Sequence, residues 1–173
     1  MFCDWSEFYL LAGSAAAVLI GLVFVVVTLM QDRPRSSVLY GSKLYMGPVV
    51  LHMSFVLVLS GIALTPGAGT RCYALSSGTI ALWGFARGAY SAIGLRRLMT
   101  PENTEVHWTD IWYYGVIPAA LYVALGVVAV AFWTGATWAA YGVAAVIIGL
   151  ILLSIRNEYD LVTWLAPARD DNS

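Results

Sequence analysis

Residues 8–30 read FYLLAGSAAAVLIGLVFVVVTLM. No charged residue interrupts the run, and at about 1.5 Å of rise per residue it is long enough to cross a hydrocarbon core of roughly 30 Å. Gly13, Ala17 and Gly21 recur at every fourth position. That spacing predicts a stripe of small residues along one helix face, where a neighbouring backbone approaches closely and supplies packing energy in lipid. The stretch therefore reads both as a membrane span and as a surface on which other helices pack.

The chain around it points the same way. Of its 173 residues 60% are apolar and 11% charged, and its mean hydropathy is +0.77. These values lie outside the range of soluble domains. Residues 1–173 suit one compact bundle, because no Gly/Ser-rich or Pro-rich linker divides them. A net charge of −1 carries no nucleic-acid signal, since phosphate binding requires clustered Lys and Arg. Asp4 and Glu7 stand where a cleaved signal would carry basic residues, and the apolar run is longer than a signal core.

Four further runs read as spans, at about 44–64, 72–94, 111–133 and 138–155. Pro34 separates the first two, and Thr65 to Arg71 (TPGAGTR) and Gly135-Ala136-Thr137 are turns by composition. Thr100-Pro101-Glu102 reads as a short helix start, with a capping residue, Pro at the first helical position and an acid in the first turn. Beyond Ile155 an amphipathic extension runs over about 156–166. Barrel strands would alternate polar and apolar residues over about ten positions, and these runs do not. The expected fold is all-α: a polytopic bundle of five transmembrane helices with a C-terminal amphipathic extension.

Charge sets an expected orientation. Arg33, Arg35 and Lys43 follow span one, Arg96 and Arg97 follow span three, and Arg156 and Arg169 follow span five. Arg71 alone falls on the opposite side, while Arg87 lies within a span. The positive-inside rule then puts the N-terminus outside and the C-terminus in the cytoplasm. Trp5, Tyr9, Tyr73, Trp133 and Trp138 fall at the outer ends of the spans; Tyr40, Tyr45, Trp108, Trp112, Tyr159 and Trp164 fall at the inner ends. Both sets read as interfacial aromatic belts.

Intramembrane ionisable residues are the candidates for function. Arg87 lies about 10 Å from the inner end of its span, beside a stripe of small residues, Gly84, Gly88 and Ala92. It is expected to face protein and to be paired, with Glu158 the first choice of counter-charge, Asp110 the second and Tyr114 or backbone carbonyls the third. Trp83, one turn earlier, is placed to stack on the guanidinium. His52 falls at a comparable depth on span two, and with Tyr114 and Pro118 it completes an expected polar layer in the cytoplasmic leaflet. For Arg87 the alternative is a side chain that snorkels toward the headgroups or has a purely structural hydrogen-bonding role, and for His52 it is a structural hydrogen bond to a neighbouring helix.

Other chemistry finds little purchase. Glu105, His107 and Asp110 cluster in one loop, but their spacing fits solvated capping residues better than a metal site. A bis-histidine haem would need His52 and His107 to converge. The sequence holds no Gly-rich phosphate loop, no Cys-x-x-Cys and no serine in a nucleophile motif, so neither an enzyme, a metal nor a cofactor is expected. Cys3 and Cys72, the only cysteines, both map to the outer face. They are expected to approach within bridging distance, with two free thiols as the alternative.

Phe8, Gly13, Ala15 to Ala17, Gly21, Leu22, Phe24 and Val25 form the pattern F-x-x-x-x-G-x-A-A-A-x-x-x-G-L-x-F-V. With Asp4-Trp5 before it, the first quarter of the chain resembles a group of small bacterial integral membrane proteins. The resemblance implies a bacterial inner-membrane location. Three functional readings follow from the residues. The first is a homo-oligomeric channel or solute-passage protein. The second is a non-transporting accessory or scaffold subunit of a larger membrane complex. The third, resting on His52, is a cofactor-binding redox subunit.

Overall fold

The computed structural model describes residues 3–29, 47–98 and 108–165. They form five long helices and, among the described residues, no strand. A 3-10 turn, Cys3–Trp5, leads into α1 (Ser6–Leu29). Next come α2 (Gly47–Leu64) and α3 (Thr70–Leu98). A single turn, Trp108–Ile111, and a π-helical segment, Trp112–Val116, lead into α4 (Ile117–Thr134). The last helix, α5 (Ala139–Leu165), is unbroken and contains the amphipathic extension as far as Leu165.

Four stretches are long and apolar enough to cross a membrane: Ser6–Thr28, Gly47–Leu64, Trp112–Thr134 and Ala139–Asp160. The chain is thus a multi-pass, all-α membrane protein. Helix α3 is long enough but falls short in composition, because Arg71, Arg87 and the Ser76-Ser77-Gly78-Thr79 step dilute its apolar content.

Helices α2, α3, α4 and α5 pack side by side in a closed ring, and α1 lies against α2 and the edge of α5. The α3–α4 contact is the most extensive and runs antiparallel. Gly78 faces Ala129, Gly126 faces Ala81, Gly88 faces the backbone of Ala119, and Gly115 faces Ala92. A Cβ added to Gly115 would come within 2.6 Å of the Ala92 Cβ. The small-residue stripe Gly84–Gly88–Ala92 is therefore the contact that brings these two backbones together.

The corresponding stripe on α1 behaves differently. Gly13 is buried against Ser60 of α2, but Ala17 and Gly21 are exposed, and nothing lies near Gly21. The buried face of α1 is Tyr9, Ala12, Gly13, Ala16 and Val23. Four residues turn a helix by about 400°, so a strict every-fourth stripe drifts about 40° per step away from its neighbour. Ala17, one step from Gly13, is already exposed, and Gly21 is further round still.

Two tight turns close the end of the bundle where α2 meets α3 and α4 meets α5. Thr65-Pro66-Gly67-Ala68 is hydrogen-bonded from Ala68 N–H to Thr65 C=O at 3.1 Å, with Gly67 at φ 78°. Pro and then Gly at the two central positions are what a type II turn requires. Helix α4 ends at Gly135, φ 75°, where Ala136 N–H returns to Ala131 C=O at 2.9 Å. That bond is the mark of a Schellman cap.

Aromatic rings span this same end. Tyr141 meets Trp5 at 5.0 Å between ring centroids, Trp5 meets Phe8 at 5.7 Å, Tyr9 meets Tyr73 at 6.2 Å and Tyr73 meets Phe132 at 5.0 Å. Tyr9 and Tyr73 are fully buried, so these two are core residues and not part of a lipid-facing belt. Trp133 and Trp138, both exposed, keep the belt position. At the other end Trp112 and Tyr159 are exposed; Tyr40 and Tyr45, and the side chains of Trp108 and Trp164, lie outside the described residues.

Candidate functional site: a buried His–Tyr pair and an exposed arginine

The π segment begins the site. Pro118 has no N–H to give to the carbonyl four residues back, and its ring would clash there. The chain responds with a wider turn, in which Ile117 N–H bonds to Trp112 C=O, five residues back. Pi-helical turns of this kind recur at functional sites. Here the wide turn buries Tyr114 and Gly115, and Tyr113 lies under Arg156 of α5, with the guanidinium carbon 3.1 Å from the ring centroid.

One turn beyond Pro118, Tyr122 enters the core between α2 and α3. Its ring fills the space that Gly84 leaves empty, and a Cβ at Gly84 would collide with the ring. Phe55 packs edge-on against the same ring at 5.9 Å. The hydroxyl reaches His52 Nδ1 at 2.7 Å, with both residues buried. One of the two donates: either Tyr122 O–H to Nδ1, or Nδ1–H to the phenol oxygen. Both arrangements leave His52 Nε2 buried and without a partner among the described residues.

Toward the π-segment end, α5 contributes further buried polar groups. Ser154 and Asn157 are buried, and neither side chain has a partner among the described residues; the same holds for Glu158 Oε1. Arg156 pairs with Asp160, one turn on, at 3.0 Å. The expected Arg87–Glu158 pair does not form. Arg87 is exposed, and no ion pair to it exists among the described residues. The reason is angular: Arg87 precedes Gly88 by one residue, about 100° round the helix, so closing Gly84 and Gly88 onto α4 turns Arg87 outward. Trp83 sets its ring against Phe55 at 5.9 Å and makes no cation–π contact with Arg87 among the described residues.

The expected polar layer is thus divided. His52 and Tyr114 are buried, Glu158 is half-buried, Arg87 faces outward, and the side chain of Asp110 lies outside the described residues. Glu105, His107 and the Thr100–Glu102 helix start also lie outside them. Among the described residues no three His, Cys, Asp or Glu side chains converge as metal ligands. Cys72 is a free, exposed thiol rather than half of a bridge, and the Cys3 side chain is not described.

Sequence reasoning passed over Tyr122 and Asn157, although each left a trace. Asn157 continues the buried α5 series Val143, Ile147, Leu150, Ser154 at steps of three and four residues. Tyr122 stands opposite a glycine stripe that can admit a ring.

A comparison with known proteins finds no matching family model, no matching curated protein and no matching solved structure.

Proposed function

We propose that this chain is a five-crossing protein of the bacterial inner membrane that assembles with copies of itself, and that the assembly passes small solutes. The observation that carries this reading is the placement of Arg87. It lies three residues, about 4.5 Å, from Gly84 at the midpoint of α3, and it is exposed with no ion pair among the described residues. A guanidinium held against hydrocarbon costs a few kcal/mol or more. A second protomer, or a wet passage between protomers, removes that cost.

The neighbours of Arg87 fit this role. Ser76, Thr79, Trp83 and Tyr90 fall with it inside an arc of about 80°, and all are at least partly exposed. The antiparallel packing of α3 along α4 supports reading it as the fifth crossing. The protomer interior is filled by Met53, Leu59, Leu125, Ile147 and Leu150, each fully buried. A passage therefore belongs between copies and not within one. The distribution of basic residues supports an N-terminus outside and a C-terminus in the cytoplasm.

The test is oligomeric state by light scattering in detergent, together with solute flux in reconstituted vesicles. An oligomer with flux that Arg87→Leu reduces supports the proposal. A monomer that leaves vesicles sealed overturns it and favours a subunit awaiting a different partner.

A further inference from the structure

On the side of α3 away from Arg87, an open groove of about 590 Å³ runs between α3 and α4. Its bed is made of small residues, Ala74, Gly78 and Ala81 on α3 and Gly126 and Ala129 on α4, and its walls are apolar but for Thr79. The groove starts level with Ala74 at the end that carries the Gly67 and Gly135 turns. It stops at Phe85 and Tyr122, because beyond that point Gly88 and Ala119, then Ala92 and Gly115, close the two helices together. From Ala74 to Phe85 there are eleven rises of about 1.5 Å, roughly 16 Å. One leaflet of hydrocarbon is about 15 Å deep, half of a core of about 30 Å.

Among the described residues a single cation stands at the mouth. Arg71 lies three and four residues before Ala74 and Leu75, seven before Gly78 and eleven before Leu82, which puts it on the same helical stripe as the groove. It is exposed and makes no ion pair among the described residues. Side chains on a helix lean toward its N-terminus, so Arg71 points out of the membrane at the depth of the headgroups.

We infer that the α3–α4 groove binds one acyl chain of an anionic glycerophospholipid, with the lipid phosphate on Arg71. The groove's length selects a chain over a helix: a transmembrane helix would continue through both leaflets, whereas this groove ends at mid-depth. The one cation at the mouth selects a negative headgroup. Of the residues in the Arg87 argument only Thr79 also lines this groove; the lipid site needs neither Arg87 nor self-association, and either reading can fail without the other.

The experiment is native mass spectrometry of the purified full chain titrated with phosphatidylglycerol or phosphatidylcholine of the same acyl composition. The expected result is one tightly held lipid, with about a fivefold preference for phosphatidylglycerol, the effect of a single basic side chain near an anionic headgroup. Arg71→Gln should abolish that preference and leave chain binding in place. Gly78→Leu should remove binding of both lipids, and Val130→Trp, which fills the groove from its exposed rim, is the second variant should Gly78→Leu fail to fold. Equal binding of the two lipids by the unaltered protein overturns the inference. So does full binding by a folded groove-filled variant, or a groove-filled variant that loses dimers while its lipid binding is unchanged.

Discussion

A hydrogen bond of 2.7 Å ties Tyr122 to His52 inside the bundle, with no water-exposed alternative for either group. Removing one partner strands the other in an apolar core, which costs more than removing both. Tyr122→Phe should therefore lower stability by about 1–2 kcal/mol, and adding His52→Leu should restore part of that loss. Thermal melts in detergent check both, at roughly 2–4 °C per kcal/mol for a chain of this size. Arg87 has the opposite standing. Because it is exposed and without an ion pair among the described residues, Arg87→Leu should change the stability of the dispersed protomer by no more than about 0.5 kcal/mol, read from the same melts, while weakening self-association in a light-scattering measurement. His52 was legible in the sequence because an imidazole in an apolar run stands out. Tyr122 was not, because aromatic residues are common in such runs and only the partner helix tells a core ring from an interfacial one. Arg87 was found, but its direction was misjudged by about 100°, the rotation of one helical residue.

At the scale of helices, two glycine stripes of like spacing have different fates. Gly84 and Gly88 are buried against α4, while Gly21 has nothing near it. Gly84→Ala should displace the Tyr122 ring and cost about 1–3 kcal/mol, as overpacking does. Gly21→Ala should be neutral or stabilise by up to about 1 kcal/mol, since alanine is the better helix former. A side-by-side melt of the two variants checks the assignment, and equal losses would refute it. Helix positions were readable from apolar runs and turn residues: α1 to α5 overlap the five expected segments, and the Gly67 and Gly135 turns fall where Pro and Gly foretold them. The π segment was not read. Pro118 predicts a defect one turn upstream, but the choice between a kink and a wide turn depends on what α3 and α5 pack against it.

For the molecule as a whole, orientation is the open quantity that one reagent can read. Cys72 is exposed at the end of the bundle where α2 meets α3. If basic residues hold the opposite end in the cytoplasm, a membrane-impermeant maleimide added to intact cells should label Cys72. A reporter fused after Ser173 should in turn read as cytoplasmic. Protection of Cys72 in intact cells, with labelling only after lysis, would invert the topology. The architecture itself was legible because lipid forces every backbone group into helices, so length and composition nearly suffice. The helix neighbours were not, since in lipid they are chosen by close fit between particular side chains, and that information is split between distant parts of the chain.

The seating of Tyr122 over Gly84 also constrains the order in which this protein can change. A side chain at position 84 has no room while a ring stands at 122, whereas a smaller residue at 122 leaves a cavity that position 84 can then fill. Descendants that abandon the pair must lose the ring first and pass through a looser intermediate. The same two substitutions made in reverse order begin with a collision. Among diverged copies of this chain, any residue larger than glycine at 84 should accompany a residue smaller than tyrosine at 122, and the unpaired combination should be missing.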